Sequence, residues 1–480
     1  MNEIYVMSAT VAYVVLLLLI SRFVGRYTDN NAFFRGSRKS PWFAVAFGMI
    51  GASISGISFV SVPGMVLAED MTYLQTCFGF VVGYALVAYV LLPLYYRLNL
   101  VSIYQYLDWR FGTSAYRTGA AVFLISKAVA SSFRLYVVAL ILQRFLFNKF
   151  LIPFELSVLL IVFLLWFYTK RSGIRSIVWT DCLNTFLLIA ALICIIVQVL
   201  LQTHLSINEA WDVVTSSPHS NVFVWENGWS GSHFAKQFVG GIFIVVAMTG
   251  LDQDMMQKNL SCKSLEEAQK NMCCYSCAFL PVNALLLGLG VLLLYFASLK
   301  GIALPTSGDE ILPMLCAEGH LGAATMVFFM VGIMAATLSS ADSAMTSITT
   351  SVCVDVLHRP DKVHIRRWVH GMVAIVLWLL VCAFSWLKET SVLDAFYTMI
   401  SYTYGPLMAL FFFGLATRRN LRGMWVPWVC IASPFMCLGV EVVVRSCTNY
   451  QFGYEVLLLN SVLSFGALWF ISIRNKEGGK

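Results

Sequence analysis

The sequence predicts an all-α polytopic membrane protein of about 13 spanning helices, a single domain over residues 1–480 in which two five-helix blocks run in opposite orientation. Three observations predict it. Residues are 59% apolar and only 12% charged, too little charge to cover a soluble domain of this size. Apolar runs recur along the whole chain, and a bilayer-spanning helix takes about 20 residues, whereas a barrel would show roughly 10-residue alternating segments. The basic residues are also unevenly shared: with the N-terminus outside, cytoplasmic loops hold 24 of the 32 Lys and Arg residues, and outer loops and helix ends hold six.

The first helix, 4–20, opens in "MNEIYVMSATVAYVVLLLLISR". No basic residue precedes its apolar run and no small-residue cleavage site follows, so it is expected to be retained. Arg22 and Arg26 place its end in the cytoplasm. The second, 42–67, holds Gly48, Gly51, Gly56 and Pro63, the composition of an interrupted helix. The third is 73–95, and the fourth, 119–146, carries Lys127 and Arg134 inside its apolar run. The fifth is 154–169. The sixth, 176–200, follows the basic loop of Lys170, Arg171 and Arg175 and carries Asp181. The loop 201–233 has no Lys or Arg and belongs outside. The seventh, 234–251, is again glycine-interrupted, at Gly240, Gly241 and Gly250. Helices at 273–298, 321–357, 368–387, 392–417, 424–445 and 455–473 complete the count and leave the C-terminus cytoplasmic.

The two interrupted helices each begin a block of five, 41–200 and 234–417. Five is odd, so the blocks are inverted. Broken helices at matching places in inverted blocks point to a transporter's central site. Glycines that only allow close packing explain each helix alone but not the match.

Most of the 13 cysteines lie in apolar runs as small core residues. Cys274 and Cys277 form a CxxC with Cys262 and Cys273 nearby, but no second ligand pair has zinc spacing, so no resident metal or other cofactor is expected. The net charge of +7 reports topology, not nucleic-acid binding.

The chemistry concentrates in "TLSSADSAMTSITTS", Thr337 to Ser351. Ser339, Asp342 and Ser343 stand at i, i+3 and i+4 and share a helix face, with Ser340 about 100° round. Helix-to-helix bonding explains one or two serines at membrane depth. It does not explain an aspartate, which costs about 2.5–3.5 kcal/mol there. Clustered oxygens with an acid suit a hard cation. Asp181 either joins these oxygens or pairs with Arg175 at the helix end. Arg134, near the middle of its helix, either clamps a carboxylate with its planar fork or pairs with Asp342 or Glu441. Lys127, two turns earlier, suits snorkelling toward the cytoplasm.

These residues resemble the sodium/solute symporter family, which includes sodium–glucose and sialic acid transporters. "GIRSIVWTD" matches a family stretch ending in Thr-Asp, and Ala336, Ser339 and Ser340 match its paired-hydroxyl helix. "LLPLYYRLNLVSIYQYLDWRFG" and "GDEILPML" resemble two family loops, and the likeness runs from about Trp42 to Arg419. The resemblance implies the inverted-repeat leucine-transporter fold. It implies a main sodium site of the Gly51, Ile54 and Ala336 carbonyls with Ser339 and Ser340, the first two placed by alignment on "FVSVPG". It also implies a second cation site at Asp181, Asp342 and Ser343, where Asp342 departs from the hydroxyl of the relatives. The second site's ion is sodium, a proton, or none, if the two carboxylates form a structural pair.

The expected function is therefore sodium-coupled import of a small polar solute across the plasma membrane, with sodium as coupling ion and Ser53, Ser55, Ser58 and Arg134 facing the solute. The acid and amide that bind sugar hydroxyls in relatives are absent at Ile57–Ser58, and Arg134 resembles the arginine that holds a carboxylate in sialic acid transporters. An organic anion such as a sugar acid comes first, and a sugar or polyol is the alternative. A transporter-like sensor would need a signalling domain, and only seven residues follow the last helix. An intramembrane aspartyl protease on Asp181 and Asp342 would need a glycine-flanked pair that "WTD" and "SADS" do not supply. A channel would not accumulate its solute.

Overall fold

The computed structural model describes residues 2–24, 29–170, 173–226, 228–386, 392–448 and 450–473. Among these residues, nine helices are long and apolar enough to cross a membrane, two further spans are bent helix pairs, and Phe154–Thr169 and Val456–Phe470 are shorter apolar helices. Each coincides with one of the thirteen expected spans. Arg26, Arg171 and the tail 474–480 lie outside the described residues.

The glycine-interrupted segments are the two bent pairs. Trp42–Ser53 and Gly56–Glu69 meet at 59°, and Phe234–Gly250 and Gln253–Asn259 meet at 70°. In the first, Ile54 leaves helical geometry at φ −80°, ψ 79°, and the Ser55 amide turns back to the Ser53 carbonyl at 3.0 Å. Gly56 sits against Thr337 and Val138, where a Cβ would come within 2.7 Å of the Thr337 hydroxyl. In the second, Val246–Gly250 is a π turn, and Asp252 caps the half-helix beyond it by accepting from the Asp254 amide at 2.8 Å. The helix ends at Gly250, next to the expected residue 251, but the half-helix Gln253–Asn259 beyond the break is not among the expected elements. The polar density of "DQDMMQKN" reads as a loop, yet these residues form a buried half-helix whose charges find partners.

The serine helix, Ala323–Ser351, runs through the middle of the bundle, and every residue from Phe329 to Ser351 is buried. A helix enclosed on all sides carries no solvent-facing stripe, which is why its hydroxyls are distributed all round. It packs on the Asp181 helix, Ile174–Thr203, and on the Arg134 helix, Thr113–Phe145. Small residues make the approaches to the Asp181 helix close: a Cβ on Gly332 of the serine helix would lie 2.6 Å from that of Ala191, and one on Gly48 of Trp42–Ser53 would lie 2.8 Å from that of Asp181. The loop 201–233 contains the short helix Ile207–Ser216, set by a reciprocal capping box between Ser206 and Glu209.

Candidate functional site

The first break exposes backbone oxygens. Because Ser55 donates to Ser53, the Gly51 carbonyl loses the i+4 donor it would have in a continuous helix. The Ile54 carbonyl precedes the Ser55 N-cap and stands between the two halves' hydrogen-bond ladders. Gly51 itself rests on the Asp181 helix, its amide donating to the Thr185 hydroxyl at 3.1 Å. Across the break lies the serine helix, with Ala336 and Ser339 fully buried and Ser340 nearly so. Ser340 donates back to the Ala336 and Thr337 carbonyls at 3.2 and 3.1 Å, which leaves its lone pairs outward. Ser339 donates to Asp181 at 2.5 Å, and its lone pairs are likewise available to a cation.

Asp181 faces the bundle. Its second oxygen stands 2.8 Å from the Lys258 ammonium, and both groups are fully enclosed. Pairing with Arg175 is therefore not its arrangement. Asp342 is fully buried and accepts from the Tyr168 hydroxyl at 2.7 Å. Its other oxygen, with the hydroxyls of Ser343 and Thr346, is buried without a hydrogen-bond partner among the described residues.

A cavity of about 70 Å³ lies beside the first break, lined by Ser53, Ser55, Ser58, Lys127, Arg134, Asp252 and Asp254 and by the aromatic rings of Tyr84, Tyr275 and Phe279. The four residues expected to face a solute thus share one cavity. Tyr275 donates to Ser53 at 2.5 Å and couples it to Tyr84. Lys127 does not snorkel. It is buried between Asp252 at 3.0 Å and Asp254 at 2.8 Å, and Asp252 also accepts from Tyr404 at 2.8 Å. The two acids proposed as partners for Arg134 are engaged elsewhere, Asp342 with Tyr168 and Glu441 with Arg445 at 2.6 Å and with Tyr402. The cavity is well below the roughly 300–1,000 Å³ of small-molecule pockets, so admitting a solute requires the half-helices or wall side chains to move.

The model of the sodium:solute symporter family matches residues 33–426. The chain belongs to that family. The symporter is 24% identical over 437 residues to the sodium/sialic acid symporter SiaT of Proteus mirabilis, covering 88% of this chain and 86% of that protein. It is 22% identical over 438 residues to the human sodium/iodide cotransporter, covering 83% and 64%. Among solved structures, a substrate-bound, outward-open Na+-coupled sialic acid symporter superposes with a TM-score of 0.83 at 20% identity, over 97% of each chain. The nucleobase-cation-symport transporter Mhp1 superposes at 0.56, with 16% identity over 92% and 95%. The fold is that of these transporters.

Sequence reasoning missed three charged residues of the symporter, the cavity acids Asp252 and Asp254 and Lys258 at Asp181, and it missed the pairing of Lys127. A signal was present. Asp252, Asp254 and Lys258 follow a glycine-broken span without a turn residue, and Lys127 lies deep in another helix. Charges at membrane depth on two segments call for each other.

Proposed function

We propose that this symporter imports a small organic anion together with sodium, with the chain lying in the plasma membrane, N-terminus outside and C-terminus cytoplasmic, and with 41–200 and 234–417 acting as inverted repeats. The observation that carries the solute class is Arg134 in a serine-lined cavity beside the broken helix. A guanidinium there offers a two-pronged grip on a carboxylate. Relatives named for sialic acid, iodide and monocarboxylates support the reading, since each is an anion at neutral pH. For sodium we propose the Gly51, Ile54 and Ala336 carbonyls with the Ser339 and Ser340 hydroxyls. Support comes from two carbonyls released by the break and two hydroxyls whose protons are turned away from it.

A second reading follows from Asp252 and Asp254 on the same wall. A cavity with both signs of charge also suits a zwitterion. A thermal-shift screen against sugar acids, other carboxylates, amino acids and sugars, with and without sodium, separates the two. With a solute in hand, uptake into proteoliposomes tests the ion site. Ser339→Ala with Ser340→Ala removes two oxygen ligands of about 0.5–1.5 kcal/mol each and should raise the sodium concentration for half-maximal uptake about tenfold. Unchanged sodium dependence would reject the assignment.

A further inference from the structure

The Lys258 ammonium stands beside Asp181, the carboxylate that the family resemblance makes a ligand of a second cation. Asp181 has two oxygens, and both are committed: one accepts the Ser339 proton at 2.5 Å, the other faces Lys258 at 2.8 Å. No bulk water reaches either group. One buried carboxylate can compensate one monovalent cation. A sodium brought beside it would meet an ammonium at contact distance in a region where like charges repel strongly. Lys258 comes from the half-helix beyond the second break, one turn after Asp254, so its charge is tied to an element of the fold.

We propose that Lys258 is a resident cation occupying the second ion position at Asp181, so that the symporter carries one sodium per cycle. The inference rests on the sodium-coupled reading above. A tethered ammonium satisfies the carboxylate in every state but is never released, so no work is drawn from the sodium gradient at this position. It also gives Asp181 a different task. By accepting the Ser339 proton, Asp181 fixes the rotation of that hydroxyl and turns its lone pairs toward the Gly51 and Ile54 side. Asp181 is then a positioning residue for the main site, held in place by Lys258. Of the other buried acids, Asp252 and Asp254 flank Lys127, and Asp342 accepts from the neutral Tyr168 hydroxyl.

The test is equilibrium binding of radioactive sodium to the purified full-length protein in nanodiscs, without solute. The wild type should bind one sodium per chain. Lys258→Gln exposes Asp181 and should raise the count to two. Lys258→Met with Asp181→Asn removes both charges together, avoids an orphaned buried ion, and should keep the count at one, with a weaker midpoint because Ser339 is no longer oriented. Two sodiums in the wild type, one of them lost in Asp342→Asn, would overturn the inference by placing a second ion at Asp342, Ser343 and Thr346. A folded Lys258→Gln that still binds one sodium would also overturn it. A wild type that binds no sodium would instead overturn the sodium-coupled reading itself.

Discussion

Single charges at membrane depth are what the proposed function rests on, and for solute class the proposal rests on Arg134. If it grips a carboxylate, Arg134→Lys keeps the charge and loses the fork. The half-saturation constant for the solute should then rise roughly 10- to 150-fold, the worth of a charge-assisted hydrogen bond of about 1.5–3 kcal/mol. Solute uptake at saturating concentration, measured alongside, should fall less than affinity does. An unchanged constant would remove Arg134 from the solute site. The residues legible in the sequence were those whose oddity is local: Ser339 and Ser340 as adjacent hydroxyls, Arg134 and Asp181 as ions among apolar neighbours. Lys258 and Asp252 carried a weaker signal, because "LDQDMMQKNL" also has the composition of a cytoplasmic loop. Only the tertiary partners, Asp181 and Lys127, reveal that these charges are buried. Lys127 was misjudged for the same reason, since snorkelling and pairing look alike until the opposite helix is placed.

At the scale of elements, the glycines that announced the broken helices also govern how the spans lie together. Gly79 and Gly241 face each other across the contact between Tyr73–Arg97 and Phe234–Gly250, where a Cβ on Gly241 would run into the Thr76 carbonyl and one on Gly79 into that of Phe238. A backbone oxygen cannot swing aside as a side chain does. Gly241→Ala should therefore destabilise the folded protein by about 1–3 kcal/mol, the usual cost of overpacking, seen as a lower midpoint in detergent unfolding. Gly288→Ala, with open space around its Cβ position, is the matched control and should be neutral. A neutral Gly241→Ala would mean that the two helices yield. The spans themselves were legible because apolar runs of the required length are a one-dimensional signal. The half-helix Gln253–Asn259 was not, since it is short, polar and stable only where the bundle supplies partners.

For the whole molecule, ion count and solute charge together fix what drives transport. One sodium moving with a neutral or zwitterionic solute carries one net charge. A potential of about 100 mV then supplies roughly 2.3 kcal/mol and a tenfold sodium gradient about 1.4, enough for roughly 500-fold accumulation. One sodium moving with a monoanion carries no net charge. The potential then contributes nothing, and the same sodium gradient sustains only about tenfold accumulation. The single-sodium arrangement enforced by Lys258 thus makes a monoanion carrier electroneutral. In proteoliposomes with an imposed inside-negative potassium diffusion potential, uptake of a monoanionic solute should match uptake without the potential, and no sodium-dependent current should appear. Uptake of a zwitterion should rise steeply with the same potential. Potential-driven accumulation of a monoanion would require a second cation to move, and would return Asp181 or Asp342 to the role of an ion ligand.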